Sequence, residues 1–354
     1  MNGKALWSAQ GGKTVQERKA ANRGQVRQWV LMTAGAIVGA VLLIGAVVAP
    51  LGAQSYPNKP IRLIIPFTPG GTADTLGRIV ALKLTERLGQ PVVPENRGGA
   101  GGDIGADLAA KSKPDGYTLL LPSSSLAISP SLNKDLNYDA LKDLAPISPT
   151  GQIPLVVIVR SSLPVKNIKE FLDYAKANPG KLNYASSGVG TAAQLATELF
   201  KKRAKLNIAH VPYKSAGDVL ISLLSNETDL GLVGPPTALA QVQAGKVRAL
   251  VVLKEGNKRL PTMPNVPTTK EAGIDDCESG VWFGLFAPAE TPRNIINRLN
   301  AEWSKIAATP DTMEMMKKAG IEPMSSTPED FSKFFKAEMV RWAEVIKAAS
   351  LSSK

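Results

Sequence analysis

Residues 61–82, IRLIIPFTPGGTADTLGRIVAL, contain a strand pattern, a turn and a helix pattern in direct succession. The apolar residues of 61–67 are mostly β-branched or aromatic, which is typical of a buried strand. The Pro-Gly-Gly run at 69–71 ends that strand. Thr72 and Asp74 follow with side-chain oxygens that suit the cap of a helix. This segment therefore predicts a βα unit, and it sets the pattern for the rest of the chain.

The turn in this unit also has a chemical consequence. A strand that passes through a Gly-Gly turn into a helix leaves backbone N–H groups unpaired at the positive end of the helix dipole. Such a helix end suits a carboxylate or a phosphate. Ordinary βα turns contain glycines as well, so the segment alone leaves two interpretations open, an anion site or a plain turn.

Composition and charge narrow the class of protein. The chain has 354 residues, enough for two domains, and its hydrophobic content of 44% and charged content of 20% are typical of a globular protein. The first 28 residues carry six of the basic side chains and one acidic side chain, so the leader accounts for +5 of the net charge of +12. The remaining basic residues do not form stripes interleaved with aromatic residues, which argues against nucleic-acid binding and suits small acidic ligands.

The N-terminus predicts export. The basic segment is followed by the uncharged apolar run WVLMTAGAIVGAVLLIGAVVA (29–49) and by small residues up to Ala53, the order of a secretory signal peptide. We therefore predict a signal peptide over residues 1–53 and a periplasmic location. The 21-residue run is also long enough to span a bilayer, so an uncleaved inner-membrane anchor remains an alternative. Cys277 is the single cysteine; it cannot form an intrachain disulfide, and we interpret it as a small, half-buried apolar residue.

Strand and helix patterns alternate along the remaining chain, which predicts parallel βαβ units. The turn-rich run PISPTGQIP (146–154) is interpreted as a linker into an apolar strand at 155–162 and as the region where the chain crosses between domains. The other predicted strands are 91–97, 117–124, 182–187, 207–213, 229–234, 247–253 and 281–288. The predicted helices after the first are 103–111, 167–178, 191–204, 216–225, 237–244, 291–308, 310–319 and 327–349.

Two further loops carry candidate site residues. Ser123 and Ser124 stand at the C-terminal end of the strand 117–124, the edge at which open α/β sheets bind ligands. The run SSGVGT (186–191) links a strand to a helix as the first turn does, so a second helix N-terminus is expected to face an anion. With Ala193 this run also fits G-x-G-x-x-A, but no acidic residue ends a strand about 20 positions later, as a dinucleotide site requires.

Catalytic machinery is sparse in the sequence. His210 is the only histidine, so a histidine-rich metal site cannot be assembled. A Ser-His-Asp triad would have to join His210 to Ser187 or Ser124, and the sequence has no G-x-S-x-G elbow. In the strand NIAHVPY, His210 is interpreted as structural. The sequence predicts ligand binding without catalysis, cofactor or metal, and a Ser-dependent hydrolase stands as an alternative.

Several stretches, taken in order, resemble the Bug-type extracytoplasmic solute receptors of tripartite tricarboxylate transporters. The resemblance covers residues 56–349. The stretches that carry it are YPNKPIR (56–62), PFTPGGTAD (66–74), ENRGGAGG (95–102), DGYTLL (115–120), NPGKLNY (178–184), HVPYK (210–214) and WFGLFAP (282–288). It implies an α/β chain with the type II periplasmic-binding-protein fold, in which two α/β lobes enclose a ligand cleft. Residues 56–154 and 281–354 would form lobe 1, and residues 155–280 lobe 2.

The resemblance also implies a function and a set of site residues. Such a receptor captures a small carboxylate and works with integral-membrane permease subunits; we expect it to be a monomer. Gln194 and Pro235-Pro236 depart from the residues usual in the family and leave the ligand open. A ligand-sensing partner of a signalling protein is an alternative role. The expected ligand-binding residues are Phe67, Thr68, Gly71, Thr72, Asp74, Ser123, Ser124, Ser186, Ser187, Gly190, Thr191 and Pro235.

Overall fold

The computed structural model describes residue 29 and residues 56–254, 257–274 and 279–349. The chain divides into two units, Met1–Ser55 and Tyr56–Lys354, and every element below belongs to the second. The predicted signal peptide, apart from Trp29, and the prediction for Cys277 lie outside the described residues. None of the described helices combines the length and the hydrophobicity that crossing a bilayer requires.

Strands and α-helices alternate along most of the described chain, close to the predicted positions. The strands are β1 (Ile61–Ile65), β2 (Val92–Asn96), β3 (Thr118–Leu120), β4 (Leu144–Arg160), β5 (Asn183–Ser186), β6 (Ala209–Pro212), β7 (Leu230–Val233), β8 (Val247–Leu253), β9 (Gly280–Pro288) and β10 (Glu322–Pro323). The helices are α1 (Thr72–Leu88), α2 (Asp103–Ala110), α3 (Ser125–Leu132), α4 (Ile168–Ala177), α5 (Ala192–Ala204), α6 (Ala216–Leu224), α7 (Pro235–Gln243), α8 (Arg293–Ala307), α9 (Pro310–Lys318) and α10 (Pro328–Ala349).

The strands follow the order β2-β1-β3-β9-β4-β7-β5-β6, and β8 and β10 also pair with β4. Pairs at the two ends of this order are parallel, as predicted: β1 with β2 and β3, and β5 with β6 and β7. The centre differs from the prediction, because β4 is antiparallel to β7, β8 and β9. The antiparallel strands are the ones that connect the two parallel groups.

The prediction of turns at 146–154 is wrong. This run belongs to β4, a continuous strand of 17 residues. Its first part, to Pro154, pairs with β9, and from Leu155 onward it pairs with β8 and β7. The pairing register with β9 shifts between Pro146 and Ser148 and between Pro149 and Gly151. Such irregularities let a strand contain prolines, which cannot donate to the neighbouring strand.

The aromatic residues of β9 form core. Trp282, Phe283 and Phe286 are all buried. The amphipathic helix α10 packs against this strand through Phe331 and Phe335, and the Phe286 and Phe335 rings lie 5.3 Å apart between centroids. The strands β4 and β9 therefore form a rigid base to which both parallel groups are joined.

Candidate functional site

A cleft opens where the middle of β4 and β9 meets the beginnings of several helices. It encloses about 480 Å³ of space, part of it open to solvent. Every described side chain that lines it is uncharged. The lining residues are Phe67, Gly71, Thr72, Ala73, Ser123, Ser125, Ile153, Leu155, Ser187, Thr191, Ala192, Ala193, Ser215, Ala216, Leu232, Val233, Gly234, Val281 and Phe283.

The first loop, residues 66–74, links β1 to α1 and contributes backbone N–H groups. Its N-cap residue is Gly71, whose backbone is extended (φ −95°, ψ 177°) and which makes no side-chain cap bond. The expectation that Thr72 or Asp74 caps this helix is therefore wrong. The N–H groups of Thr72 and Ala73 belong to the first turn of α1, where intrahelical acceptors are not available, and both residues line the cleft.

The side chain of Asp74 does not line the cleft, but its hydrogen bonds fix the shape of this loop. One carboxylate oxygen accepts from the Gly70 N–H and from Arg78 Nε, both at 3.1 Å, and the other accepts from Asn96 Nδ2 at 3.1 Å. Burial alone would raise the pKa of Asp74, but the hydrogen bonds from Arg78, Gly70 and Asn96 outweigh it and hold the pKa below its ordinary value. Asn96 also donates to the Phe67 carbonyl at 3.0 Å. The carboxylate is thus a structural anchor for the turn.

The second loop, residues 186–191, links β5 to α5 and is held by neutral groups. Thr191 is the N-cap: its hydroxyl accepts from the Gln194 N–H at 3.3 Å and donates to the Gly188 carbonyl at 2.8 Å. The Gly190 N–H donates to Gln194 Oε1 at 2.7 Å. Ala192 and Ala193 occupy the next two positions and line the cleft, and their first-turn N–H groups have no intrahelical acceptor.

His210 is tied into this loop and not to the serines that the sequence suggested. Its Nε2 lies 2.7 Å from Ser186 Oγ, its Nδ1 lies 3.4 Å from Gln194 Nε2, and its ring stacks on Tyr184 with centroids 4.7 Å apart. Because Gln194 Oε1 already accepts from Gly190, its NH₂ group faces His210 and makes Nδ1 the acceptor. The ring proton is then on Nε2 and is donated to Ser186.

This arrangement does not activate a nucleophile. The Ser186 hydroxyl donates to the Gly188 carbonyl at 3.1 Å, so it directs its proton away from the imidazole. A general base must accept the proton of the nucleophile, whereas His210 is the donor of this pair. Burial is the largest effect on His210 and lowers its pKa. The nearby Glu198 carboxylate raises this pKa by a smaller amount, and the Lys201 ammonium lowers it. The balance favours the neutral ring, and the network Ser186–His210–Gln194 acts as a clamp on the second loop.

Two more helices begin at the cleft and differ in what they offer. At α6 the N-cap Ser215 accepts from the Asp218 N–H, and Ala216 lines the cleft. At α7 the N-cap is Gly234, and Pro235 and Pro236 occupy the first two helical positions. Proline has no N–H, so the start of α7 presents an apolar surface where the other helices present donors.

The first loop makes direct contacts with the beginnings of α6 and α7. Thr68 Oγ1 donates to Asp218 Oδ2 at 2.8 Å, and the hydroxyls of Thr72 and Thr237 lie 3.1 Å apart. Gly217 packs so closely that a Cβ atom there would lie 2.9 Å from the Pro69 carbonyl oxygen. The two parallel strand groups are therefore in contact across the cleft.

The structure brings half of the expected ligand-binding residues to the cleft lining and places the others next to it. Phe67, Gly71, Thr72, Ser123, Ser187 and Thr191 line the cleft. Thr68, Asp74, Ser186 and Gly190 bond within or between the loops, as described above. Ser124 Oγ is buried without a partner among the described residues, and Pro235 lies against the turn at Gly320.

Sequence reasoning missed the base of the cleft and the start of α6. Ile153 and Leu155 of β4 and Val281 of β9 line the cleft, but the run that contains Ile153 was interpreted as turns. Ser215 had a usable signal, because a serine directly before a helix pattern is a typical N-cap. Ser125 also lines the cleft and begins a helix that the sequence analysis did not predict.

Comparison with known structures shows that this chain belongs to the class of periplasmic binding proteins. The structure of the periplasmic binding protein BugD matches with a TM-score of 0.81 and 34% identity over 84% of this chain and all of that one. A structure described as R. palustris Rpa4515 with adipate matches with a TM-score of 0.81 and 32% identity, covering 84% of this chain and 99% of that one. These matches confirm the predicted fold class.

The family follows from sequence comparison. Residues 76–351 match the model of the tripartite tricarboxylate transporter family receptor. Protein BugT of Bordetella pertussis is 36% identical over 321 residues, which cover 90% of this chain and 98% of BugT. The chain belongs to the tripartite tricarboxylate transporter receptor family, as the resemblance indicated.

Proposed function

We propose that this chain is a periplasmic receptor that captures a small carboxylate and delivers it to the integral-membrane permease of a tripartite tricarboxylate transporter. One observation carries the proposal: the N-termini of α1, α5 and α6 meet at a cleft whose described lining is uncharged. Unpaired N–H groups at the positive ends of helices stabilise an anion without a lysine or arginine. The adipate in the R. palustris relative supports a carboxylate as the ligand class.

The proposed lobes follow the change of partners in β4. Residues 56–154 and 281–354 are assigned to lobe 1 and residues 155–280 to lobe 2, because β4 pairs with β9 up to Pro154 and with β7 and β8 from Leu155 onward. The contacts Thr68–Asp218 and Thr72–Thr237 then join the two lobes. Ligand binding would favour this closed state through contacts that exist only when the lobes meet.

The receptor is proposed to bind and release its ligand unchanged and as a monomer. The hydrogen-bond directions around Ser186 and His210 support this, since they leave the serine without a base. Partner capture tests delivery: the protein is cross-linked to membranes of its own organism and the products are identified by mass spectrometry. Recovery of permease subunits supports transport, whereas recovery of a signalling protein alone would favour a sensing role.

Calorimetry tests the ligand class. Each carboxylate in a panel is compared with its primary amide, which has nearly the same shape but no charge. We expect at least one carboxylate to bind, and to bind about tenfold or more tightly than its amide, because hydrogen bonds to a charged group are worth roughly 1.5–3 kcal/mol. Equal binding of acid and amide, or no binding at millimolar concentration, would refute the proposed function.

A variant pair tests the helix donors. Ala192→Pro removes the first N–H of α5 at a position that accepts proline, because Thr191 before it is extended (φ −83°, ψ 153°). Ala192→Val adds a similar volume and keeps the N–H. Both variants add volume at this buried position, and only the proline removes the donor, so we expect the proline variant to lose about tenfold more affinity for the carboxylate than the valine variant. A loss of equal size in the valine variant would show that the site responds to volume and not to the donor.

A further inference from the structure

We infer that the cleft selects a monocarboxylate with an apolar body over a di- or tricarboxylate of the same length. This inference rests on the proposed function and specifies its ligand class. Four features of the cleft carry it: the position of its donors, the state of its hydroxyl groups, its apolar walls and the carboxylate of Asp103 beside it.

The backbone donors of α1 and α6 lie on one side of the cleft. The starts of α1 and α6 are in contact, since a Cβ atom at Gly71 would lie 3.4 Å from the Ala216 nitrogen. The start of α7 also contacts α1, because a Cβ at Gly234 would lie 2.6 Å from Thr72 Oγ1. Its first two residues are prolines, so this helix adds no N–H group for a second carboxylate.

Most hydroxyl groups of the lining are already engaged within the protein. Thr72 pairs with Thr237, Ser123 donates to Ser125 at 2.9 Å, and Thr191 donates to the Gly188 carbonyl. Ser215 donates to Asp218 at 3.1 Å. Ser187 has no partner among the described residues, and Ser125, which accepts from Ser123, still has its own proton to donate. These two hydroxyls and the helix N–H groups provide donors for one carboxylate.

The remaining walls are hydrocarbon. They are formed by Ile153 and Leu155 of β4, Leu232 and Val233 of β7, and Val281 and Phe283 of β9. Apolar ligand surface buried against these side chains gains binding free energy in proportion to its area. A carboxylate placed there would lose its water without gaining a partner, which is strongly unfavourable.

Asp103 places a carboxylate beside the cleft. A narrow side pocket shares Phe67, Ser123 and Ser125 with the cleft and is lined by Asp103. The Asp103 carboxylate accepts from the Tyr138 hydroxyl at 2.8 Å and from Ser129 at 2.7 Å. A second carboxylate at this end of the cleft would approach a like charge in a partly desolvated space, where repulsion is strong.

Matched ligand pairs test the inference by calorimetry: hexanoate against adipate, butyrate against succinate, and benzoate against terephthalate. In each pair one terminal carboxylate is exchanged for a methyl group or a hydrogen. We expect the monocarboxylate to bind about tenfold or more tightly in the pair that fits best. Tighter or equal binding of the dicarboxylates would overturn this inference and leave the proposed function standing. If none of the acids binds, both fail together.

A charge-removing variant localises the selectivity. Asp103→Asn keeps the shape of the side chain and removes its charge, and we expect it to narrow the preference for hexanoate over adipate by about threefold or more. Asp107→Asn is the matched control: it makes the same change on α2, at a residue that pairs with Lys111 and does not line the side pocket. A preference that is unchanged in Asp103→Asn, or reduced equally in both variants, would contradict the role assigned to the side-pocket charge.

Discussion

The first loop (66–74) and the second loop (186–191) both bring a helix N-terminus to the cleft, but they are held in place by different chemistry. The first loop has a glycine N-cap without a side-chain bond and is anchored by the carboxylate of Asp74. The second loop has a threonine N-cap and is anchored by the neutral network Ser186–His210–Gln194. One loop thus depends on a charge and the other does not.

The two loops show two ways to hold the backbone of an anion site rigid. An anion site built from backbone N–H groups needs a rigid turn and no negative charge in the cleft itself. In the first loop, Asp74 lies outside the lining and its charge is balanced by Arg78 at 3.0 Å. In the second loop, burial keeps His210 in the neutral form. Both loops therefore fix their backbone without changing the charge of the surface that would meet the ligand.

The largest expected effect comes from preventing contact between the first loop and α6. In Gly217→Ala the new Cβ would lie 2.9 Å from the Pro69 carbonyl oxygen and 3.0 Å from the Gly70 carbonyl carbon. These are backbone atoms that cannot rotate away. Overpacking of this kind costs about 1–3 kcal/mol, so we expect affinity for the carboxylate to fall roughly tenfold or more. Calorimetry measures the loss, and small-angle scattering should show a larger radius for the liganded protein.

Gly77→Ala is the matched control for this prediction. Its Cβ would lie 2.4 Å from Ile65 Cδ1, inside proposed lobe 1 and away from the contact between the loops and α6. We expect this variant to melt at a lower temperature and to bind its ligand normally. If Gly217→Ala also binds normally, the contact between the first loop and α6 is not part of the binding-competent state.

The second effect tests the anchor of the first loop. Asp74→Ala leaves the Gly70 N–H and Asn96 without their acceptor, and we expect a loss of about 1–3 kcal/mol in the free energy of unfolding with a smaller loss of affinity. The pKa of Asp74 is held below its ordinary value in the folded protein. Its contribution is therefore present above the ordinary pKa and is lost as the pH falls through the folded value.

Denaturant unfolding as a function of pH measures this contribution. Both Asp74→Ala and Asp74→Asn should lose less stability in acid than the wild type, because neither side chain titrates. At neutral pH Asp74→Asn, which retains one acceptor oxygen, should lie between Asp74→Ala and the wild type in stability. If Asp74→Ala instead loses more free energy of binding than free energy of unfolding, the carboxylate contacts the ligand directly.

The sequence predicted the elements of the fold well where periodicity is strong. The βα unit around 61–82 and the strands and helices from 167 to 253 lie within a few residues of their predicted positions. The prediction failed for β4, because Pro146, Pro149 and Pro154 are typical of turns and only the pairing with β9 makes that run a strand. Helix α3 was missed because its sequence, SLAISPSL, is rich in serine and contains Pro130.

The site was predictable in its loops and not in its contacts. Gly-rich turns before helix patterns located both loops. Which side chains face the cleft depends on hydrogen bonds over long sequence separations, such as Thr68 with Asp218 and Ser186 with His210. No local pattern contains that information. For the same reason the hydrolase alternative joined His210 to Ser187 or Ser124, whereas the register of β5 and β6 places it opposite Tyr184, two residues before Ser186.

The smallest effect tests the neutral anchor of the second loop. Burial lowers the pKa of His210 in the folded protein, so the unfolded chain binds its proton more readily. Stability should therefore decrease as the pH falls below about 6.5, the ordinary value for histidine, until the folded pKa is passed. Thermal melts at about pH 7.5 and about pH 5.5 should show a smaller decrease for His210→Gln than for the wild type. The glutamine can still donate to Ser186 but does not titrate.

Asp74→Asn is the control for this prediction. It should show the full decrease in melting temperature between about pH 7.5 and about pH 5.5, because carboxylates remain ionised over this interval. If His210→Gln also shows the full decrease, the second loop is not held by a neutral histidine.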